Sequence, residues 1–234
     1  MRLLLPVERL GAADAVTLLN VVFGFVTVVA ALAVGPGLAA RLVLLAAIAD
    51  GLDGVVARVY GGSEVGPLLD SVADIVSFTV APALVVYAAV SAGWGVSLSS
   101  PSARLAVALL VPALFVVSSV VRTVLYTVYG DEFERRPGVQ NTLASTILVA
   151  GYLAGVTLPV VLLVATVALA VLMVANVPYP KLYARDALAM GVVQALAILV
   201  PGAFGRLFPR LLLLAALAYL VLAPRFYWRA ETVV

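Results

Sequence analysis

Apolar runs long enough to cross a bilayer follow one another along this chain, with only short polar connections between them. A spanning helix needs roughly 20 mostly apolar residues. Eight stretches approach or reach that length: 15–34, 38–57, 67–93, 103–128, 140–155, 158–177, 186–203 and 207–223. Such a chain has few folds open to it, because backbone N–H and C=O groups in hydrocarbon must be satisfied inside a helix or a closed barrel. The runs predict an all-α, polytopic membrane helix bundle of about eight spans, with six as the lower bound. Residues 1–14 are broken by Pro6, Glu8, Arg9 and Asp14. They read as an interfacial amphipathic segment and not as a signal-sequence core, ahead of one transmembrane domain over 15–234.

What the composition lacks narrows the chemistry. The 234 residues contain no cysteine and no histidine. Disulfides, thiolate and imidazole metal sites, cysteine nucleophiles and Ser-His-Asp arrangements are therefore excluded. The net charge of +2, with no basic tract, argues against nucleic acid as a partner. The fourteen basic residues also test topology. With the N-terminus inside, Arg2, Arg9, Arg58, Arg122, Arg135, Arg136, Lys181, Arg185, Arg225 and Arg229 fall on the inner side, and Arg41, Arg104, Arg206 and Arg210 on the outer. This asymmetry predicts an even number of spans with both termini cytoplasmic. One lysine among the fourteen, with abundant alanine and valine, points to a GC-rich and prokaryotic source.

Five of the twelve acidic residues fall within 25 positions: Asp50, Asp53, Glu64, Asp70 and Asp74. Asp50, Asp53, Gly54 and Ala57 share one helical face, and Gly66, Asp70, Asp74 and Ser77 share one on the next span. The Gly61-Gly62-Ser63 hairpin turns the second helix back along the first. Four carboxylates thus converge near the cytoplasmic end. Each one near a bilayer centre costs about 2.5–3.5 kcal/mol on insertion scales, and together they repel. Hard divalent cations resolve both problems, and four carboxylates can hold two Mg²⁺ or Mn²⁺ ions. Ion-coupled transport is the competing use of buried carboxylates. Transporters, however, usually show two related halves, and here all four aspartates sit in one hairpin.

The run Asp50-x2-Asp53-Gly54-x2-Ala57-Arg58-x7-Gly66-x3-Asp70-x3-Asp74 resembles the signature of the CDP-alcohol phosphotransferase family at all eight fixed positions. The resemblance is close over the first three spans and rests on hydropathy and length beyond them. It implies a catalytic membrane domain in which Asp50, Asp53, Asp70 and Asp74 bind the metals and Asp74 is also the general base. It implies a CDP-lipid pocket lined by Gly54, Ala57, Arg58, Ser63 and Gly66, with Asp14, Thr17 and Asn20 contacting the nucleotide from the first span. It also implies a homodimer.

Two further segments, LDSVADIVSFTVAPALVVY and NVPYPKL (176–182), resemble the serine-using branch, whose text commonly reads DSLAD-x-VSFG-x-APA. Thr79 stands where that branch usually has glycine. The implied substrates are a CDP-lipid (CDP-diacylglycerol or CDP-archaeol) and L-serine. Arg122, as an intramembrane arginine, is the leading cation for the acceptor carboxylate. Asn141, Thr142 and Ser145, in a polar run with Arg135 and Arg136, are further acceptor candidates. An inositol phosphate or glycerol phosphate acceptor is the alternative, since those three arginines could also surround a second phosphate.

Overall fold

A computed structural model describes residues 9–130, 137–180 and 182–227. Among these, eight helices and no strands are present. They are α1 (Ala12–Ala33), α2 (Pro36–Tyr60), α3 (Gly66–Trp94), α4 (Ala103–Tyr129), α5 (Asn141–Ala154), α6 (Pro159–Val174), α7 (Ala184–Leu199) and α8 (Ala203–Phe226). The eight apolar stretches fall on these helices with ends displaced by no more than four residues. Four helices (α1, α3, α4 and α8) are long and apolar enough to cross a membrane, and α5 and α6 are apolar but shorter. α2 carries Arg41, Asp50, Asp53 and Arg58, so its composition alone does not read as a span. Residues 1–8 of the expected interfacial segment lie outside the described residues, and α1 already begins at Ala12.

Local signals explain the boundaries. Pro36, Pro67 and Pro159 open their helices, where a missing N–H is harmless. Gly95 and Gly155 close α3 and α5 in the left-handed region. Polarity is arranged for a hydrocarbon solvent. Phe25, Leu32, Leu110, Val221 and Phe226 are more than half exposed, whereas Asn20, Thr27, Ser77, Thr79, Ser119, Asn141, Ser145 and Thr166 are buried. Between helices, where lipid is as apolar as leucine, close approach matters more than bulk. Accordingly Ala30, Ala31, Ala39, Ala40, Ala46 and Leu44 form much of one core around α1, α2 and α7. A second core surrounds Phe115, Val90, Leu148 and Met173.

Long side chains close the helix ends away from the aspartates. The last carbonyls of a helix have no internal donor. Arg41 Nε donates to Ile198 O (2.6 Å) at the end of α7, and Arg210 Nε to Ala154 O (3.4 Å) at the end of α5. Gln194 Nε2 likewise reaches Leu44 O in the interior (2.6 Å).

The middle of α3 departs from α-helix. Residues Ile75–Val80, directly after Asp74, form a π-helical turn, and the Ala81 N–H bonds back to Val76 O. Pro82 follows and has no N–H, so Phe78 O lacks the donor an α-helix would give it. Ser145 Oγ on α5 supplies one at 2.7 Å. Ser77 Oγ donates to Asn20 O (2.9 Å), and the Thr79 and Ser119 hydroxyls share a hydrogen bond. The threonine that departs from the serine-branch pattern is therefore matched by a hydroxyl on α4.

α1 comes closest to this turn at Gly24, where an added Cβ would lie 2.5 Å from Ser77 Oγ and 3.0 Å from its Cα. Gly37, by contrast, has open space around it. Forcing a side chain into a packed interior costs about 1–3 kcal/mol. Gly24→Ala should therefore lower the thermal midpoint of the detergent-solubilised protein, while Gly37→Ala leaves it unchanged or slightly raised; equal effects would mean that this contact is not limiting.

Candidate active site

α2 and α3 run back along each other as the Gly61 hairpin requires, with Gly61 at φ 86° ending α2. The result brings carboxylate oxygens of Asp50, Asp70 and Asp74 within 4.8 Å of one another. Asp53, the fourth predicted ligand, stands beside this trio within Coulombic reach of all three. One of its oxygens is engaged from α1, where Thr17 Oγ1 donates to Asp53 Oδ2 at 2.8 Å. Asp70 is exposed, Asp50 and Asp53 are partly covered, and Asp74 Oδ1 is buried with no donor among the described residues.

That donor set fits a hard divalent ion. It is all carboxylate oxygen, converges from two helices, and includes a buried oxygen without a donor among the described residues. At an effective dielectric near 20, two unit charges 4.8 Å apart repel by about 3.5 kcal/mol. No side-chain ion pair with these aspartates occurs among the described residues.

The remaining residues of the expected nucleotide pocket divide into two groups. Gly54 and Ala57 leave space along the α2 face, and an added Cβ at Gly54 would meet nothing nearer than Arg58 Nη1 at 3.9 Å. Arg58 is exposed at the end of α2. Ser63 Oγ is buried without a partner near Gly66, and Asn20 is fully buried with neither carboxamide atom engaged. Asp14, by contrast, is taken up structurally. Its Oδ2 accepts from Gly11 N at 2.6 Å, fastening the start of α1, and its Oδ1 would sit 3.3 Å from a Cβ on Gly66. Thr17 likewise acts toward Asp53.

Of the acceptor candidates, Arg122 stands apart. It lines a cavity of about 150 Å³ with Leu125, Tyr126, Pro137, Met173, Val174, Ala175 and Asn176. Its guanidinium lies 4.5 Å from the centre of the Tyr126 ring, and its charge is felt at Asp74. Asn141, Thr142 and Ser145 are not part of this lining. Asn141 Nδ2 donates to Thr123 Oγ1 (2.7 Å), and Ser145 is committed to the α3 turn. Thr142 is half-buried beside them. Arg135 and Arg136 lie outside the described residues. Tyr126 and Asn176 are cavity residues to which the sequence reading gave no ligand role, although Asn176 opens the NVPYPKL segment that resembles the serine-using branch. Tyr126 reads as an interfacial aromatic, yet its i+4 spacing from Arg122 is the cation–π spacing of a helix.

A model of the CDP-alcohol phosphatidyltransferase family matches residues 10–200, well over half of the chain. The chain is 46% identical over 76 residues to the CDP-diacylglycerol–serine O-phosphatidyltransferase of Mycobacterium leprae (strain TN), covering 32% of this chain and 25% of that one. The Mycobacterium bovis enzyme of the same name is 43% identical over 84 residues, 36% of this chain and 29% of its own length. The chain therefore spans less than a third of these mycobacterial relatives. The archaetidylserine synthase of Methanothermobacter thermautotrophicus is 28% identical over 172 residues, 72% of this chain and 69% of its own.

If mutual repulsion dominates the cluster, Asp50→Asn should raise the thermal midpoint in excess chelator, and the rise in midpoint expected of the parent protein on adding Mn²⁺ should be lost in the variant. Melting curves with and without Mn²⁺ read both effects, and an unchanged Mn²⁺ response in the variant would remove Asp50 from the ligand set.

Proposed function

The chain belongs to the CDP-alcohol phosphatidyltransferase family, and from that membership we propose that it transfers the phosphatidyl-type group of a CDP-lipid to the hydroxyl of L-serine, releasing CMP. The lipid is CDP-diacylglycerol or CDP-archaeol, as the names of both kinds of relative suggest. One observation supports the division of labour. Arg122 lies within Coulombic reach of Asp74 and also lines a small cavity. At about 150 Å³ that cavity is below the roughly 300–1,000 Å³ of drug-sized sites, which suits a small zwitterion better than a sugar phosphate.

Asp50, Asp53, Asp70 and Asp74 would hold two divalent ions, Mg²⁺ or Mn²⁺, which when bound neutralise the charge of a diphosphate. Thr17 keeps Asp53 turned toward the site. The small residues Gly54 and Ala57 let the nucleotide approach the α2 backbone, Arg58 pairs with phosphate, and the unengaged polar groups of Asn20 and Ser63 remain for the nucleotide. Arg122 takes the serine carboxylate. Asp74 accepts the serine hydroxyl proton as that oxygen attacks the β-phosphorus. The bond from the β-phosphorus to the bridging oxygen breaks, and that oxygen leaves on CMP. Positioning and charge stabilisation account for most of the barrier lowering in such transfers. The site lies at the end of the bundle that the basic residues assign to the cytoplasm, where CMP and serine are soluble. The working assembly is a homodimer on family grounds, which the mass of the solubilised particle tests.

The deciding experiment is CMP release from purified protein given a CDP-lipid, Mg²⁺ or Mn²⁺, and one acceptor at a time. L-serine should support release together with a serine-headgroup lipid. Release with glycerol phosphate or inositol phosphate instead would overturn the serine assignment. Asp74→Asn should lower kcat by at least about 100-fold, the lower range for a positioned acid–base group. Arg122→Gln should raise the KM for serine and leave that for the CDP-lipid near its parent value; an unchanged serine KM would detach the cavity from the acceptor.

A further inference from the structure

The cavity beside Arg122 has two walls of different origin. One is α4, which contributes Arg122, Leu125 and Tyr126. The other is the end of α6 and the connection beyond it, contributing Met173, Val174, Ala175 and Asn176. A helix holds its own side chains in place, but the connection after α6 has no such support, and Asn176 is exposed.

Its support comes from elsewhere in the chain. The Gly138 N–H donates to Val177 O (2.8 Å), Pro137 and Pro178 pair as an isolated antiparallel bridge, and Val139 N reaches Leu172 O (3.0 Å). Gly138 has φ 78°, and a Cβ there would run into the Met173 carbonyl. On the opposite side the end of α8 takes hold. Tyr219 OH donates to Pro180 O, and Tyr179 OH, from the connection itself, donates to Leu220 O at 3.1 Å. Tyr227 OH accepts from Tyr183 N (3.0 Å) and donates to Asp186 Oδ2. The Tyr227 ring lies 4.6 Å from that of Tyr183 and 5.6 Å from that of Tyr219. None of these tyrosines lines the cavity; Tyr219 holds the connection at Pro180, four residues past Asn176, and Tyr227 holds its far end at Tyr183 and the first turn of α7 at Asp186.

We propose that Tyr219 and Tyr227 are positioning residues for the acceptor: they clamp the connection between α6 and α7 onto the end of α8 and so fix Asn176 in the wall it shares with Arg122. The role in acceptor binding rests on the assignment of that cavity made above, whereas the clamp itself does not. It gives the last helix, more than 40 residues beyond Asn176, control over acceptor affinity and none over CDP-lipid binding.

Tyr219→Phe and Tyr227→Phe each remove a hydroxyl and keep the ring, so the bundle retains its packing. The bond lost in Tyr219→Phe is to a carbonyl, and the one lost in Tyr227→Phe is to a carboxylate open to solvent screening, so each corresponds to a change of roughly 2- to 10-fold. The KM for L-serine should rise by about that factor in each variant, with kcat at saturating serine and the CDP-lipid KM unchanged; Tyr87→Phe, on α3 and outside the cluster, serves as control. An equal loss in kcat and in CDP-lipid KM would indicate general loosening and overturn the proposal. Because the chain has no cysteine, Ala175→Cys provides a single reporter in the cavity wall. Its labelling by a water-soluble maleimide should quicken several-fold when Tyr219→Phe or Tyr227→Phe is added. Unchanged labelling would overturn the clamp whatever the acceptor is. Faster labelling in a protein that never releases CMP with L-serine would leave the clamp standing and refute the serine reading instead.

Discussion

Carboxylates held within 4.8 Å of one another inside an apolar bundle are the constraint around which the rest of this molecule is arranged. Their repulsion is unfavourable at any distance from water and worsens with burial. The fold nonetheless places Asp74 directly before the π-helical turn of α3 and braces Asp53 from a third helix through Thr17. Buried polar groups arranged at such expense in a membrane protein mark a functional site. Under the proposed metal binding, a cluster that would loosen the bundle when empty would become a cross-link between α2 and α3 when loaded, and the stability of the bundle would depend on the ion.

The π-helical turn shows how the site is kept in register. Pro82 removes a donor, the turn widens, and the carbonyls released are met by Ser145 from α5, while Ser77 ties the same turn to α1. Three helices therefore converge on the residues that follow Asp74. Gly24 permits that convergence because α1 has no room there for a side chain. Such turns are frequent at functional sites, where the local widening redirects a side chain. Some hydroxyls that a sequence reader would assign to ligand contact are here committed to backbone. Ser145 is the clearest case.

At the same end of the bundle, the cavity beside Arg122 joins the aspartates to the polar connections of the second half of the chain. This explains why a signature confined to the first three helices is insufficient to specify an acceptor. The aspartate cluster depends on local spacing, whereas the cavity beside Arg122 is assembled from α4, the end of α6 and the connection beyond it. Family membership and the four apolar helices make the chain a membrane enzyme of the CDP-alcohol type. They also displace the transporter alternative that the carboxylates alone left open.

Much of this was legible in the sequence. Runs of apolar residues fixed eight helices nearly to their ends, because hydrocarbon leaves the backbone no other way to satisfy itself. The spacing of Asp50, Asp53, Asp70 and Asp74 placed them on facing stripes, because helical periodicity is a local property. Asp14 and Ser145 were read as ligand-facing and turned out to brace helices, and Tyr126 and Asn176 were not singled out for the cavity they line. Asp14 bonds locally to Gly11 N, but the outcomes for Ser145, Tyr126 and Asn176 depend on how separate elements pack. A hydroxyl bonds whichever group the packing presents to it, and in these cases that group lies on another element: Phe78 of α3 for Ser145, Asp53 of α2 for Thr17, and Pro180 of the α6–α7 connection for Tyr219. The sequence by itself determined which segments are helical and where the carboxylates gather; only tertiary packing decided which polar side chains hold the bundle together and which remain for a ligand.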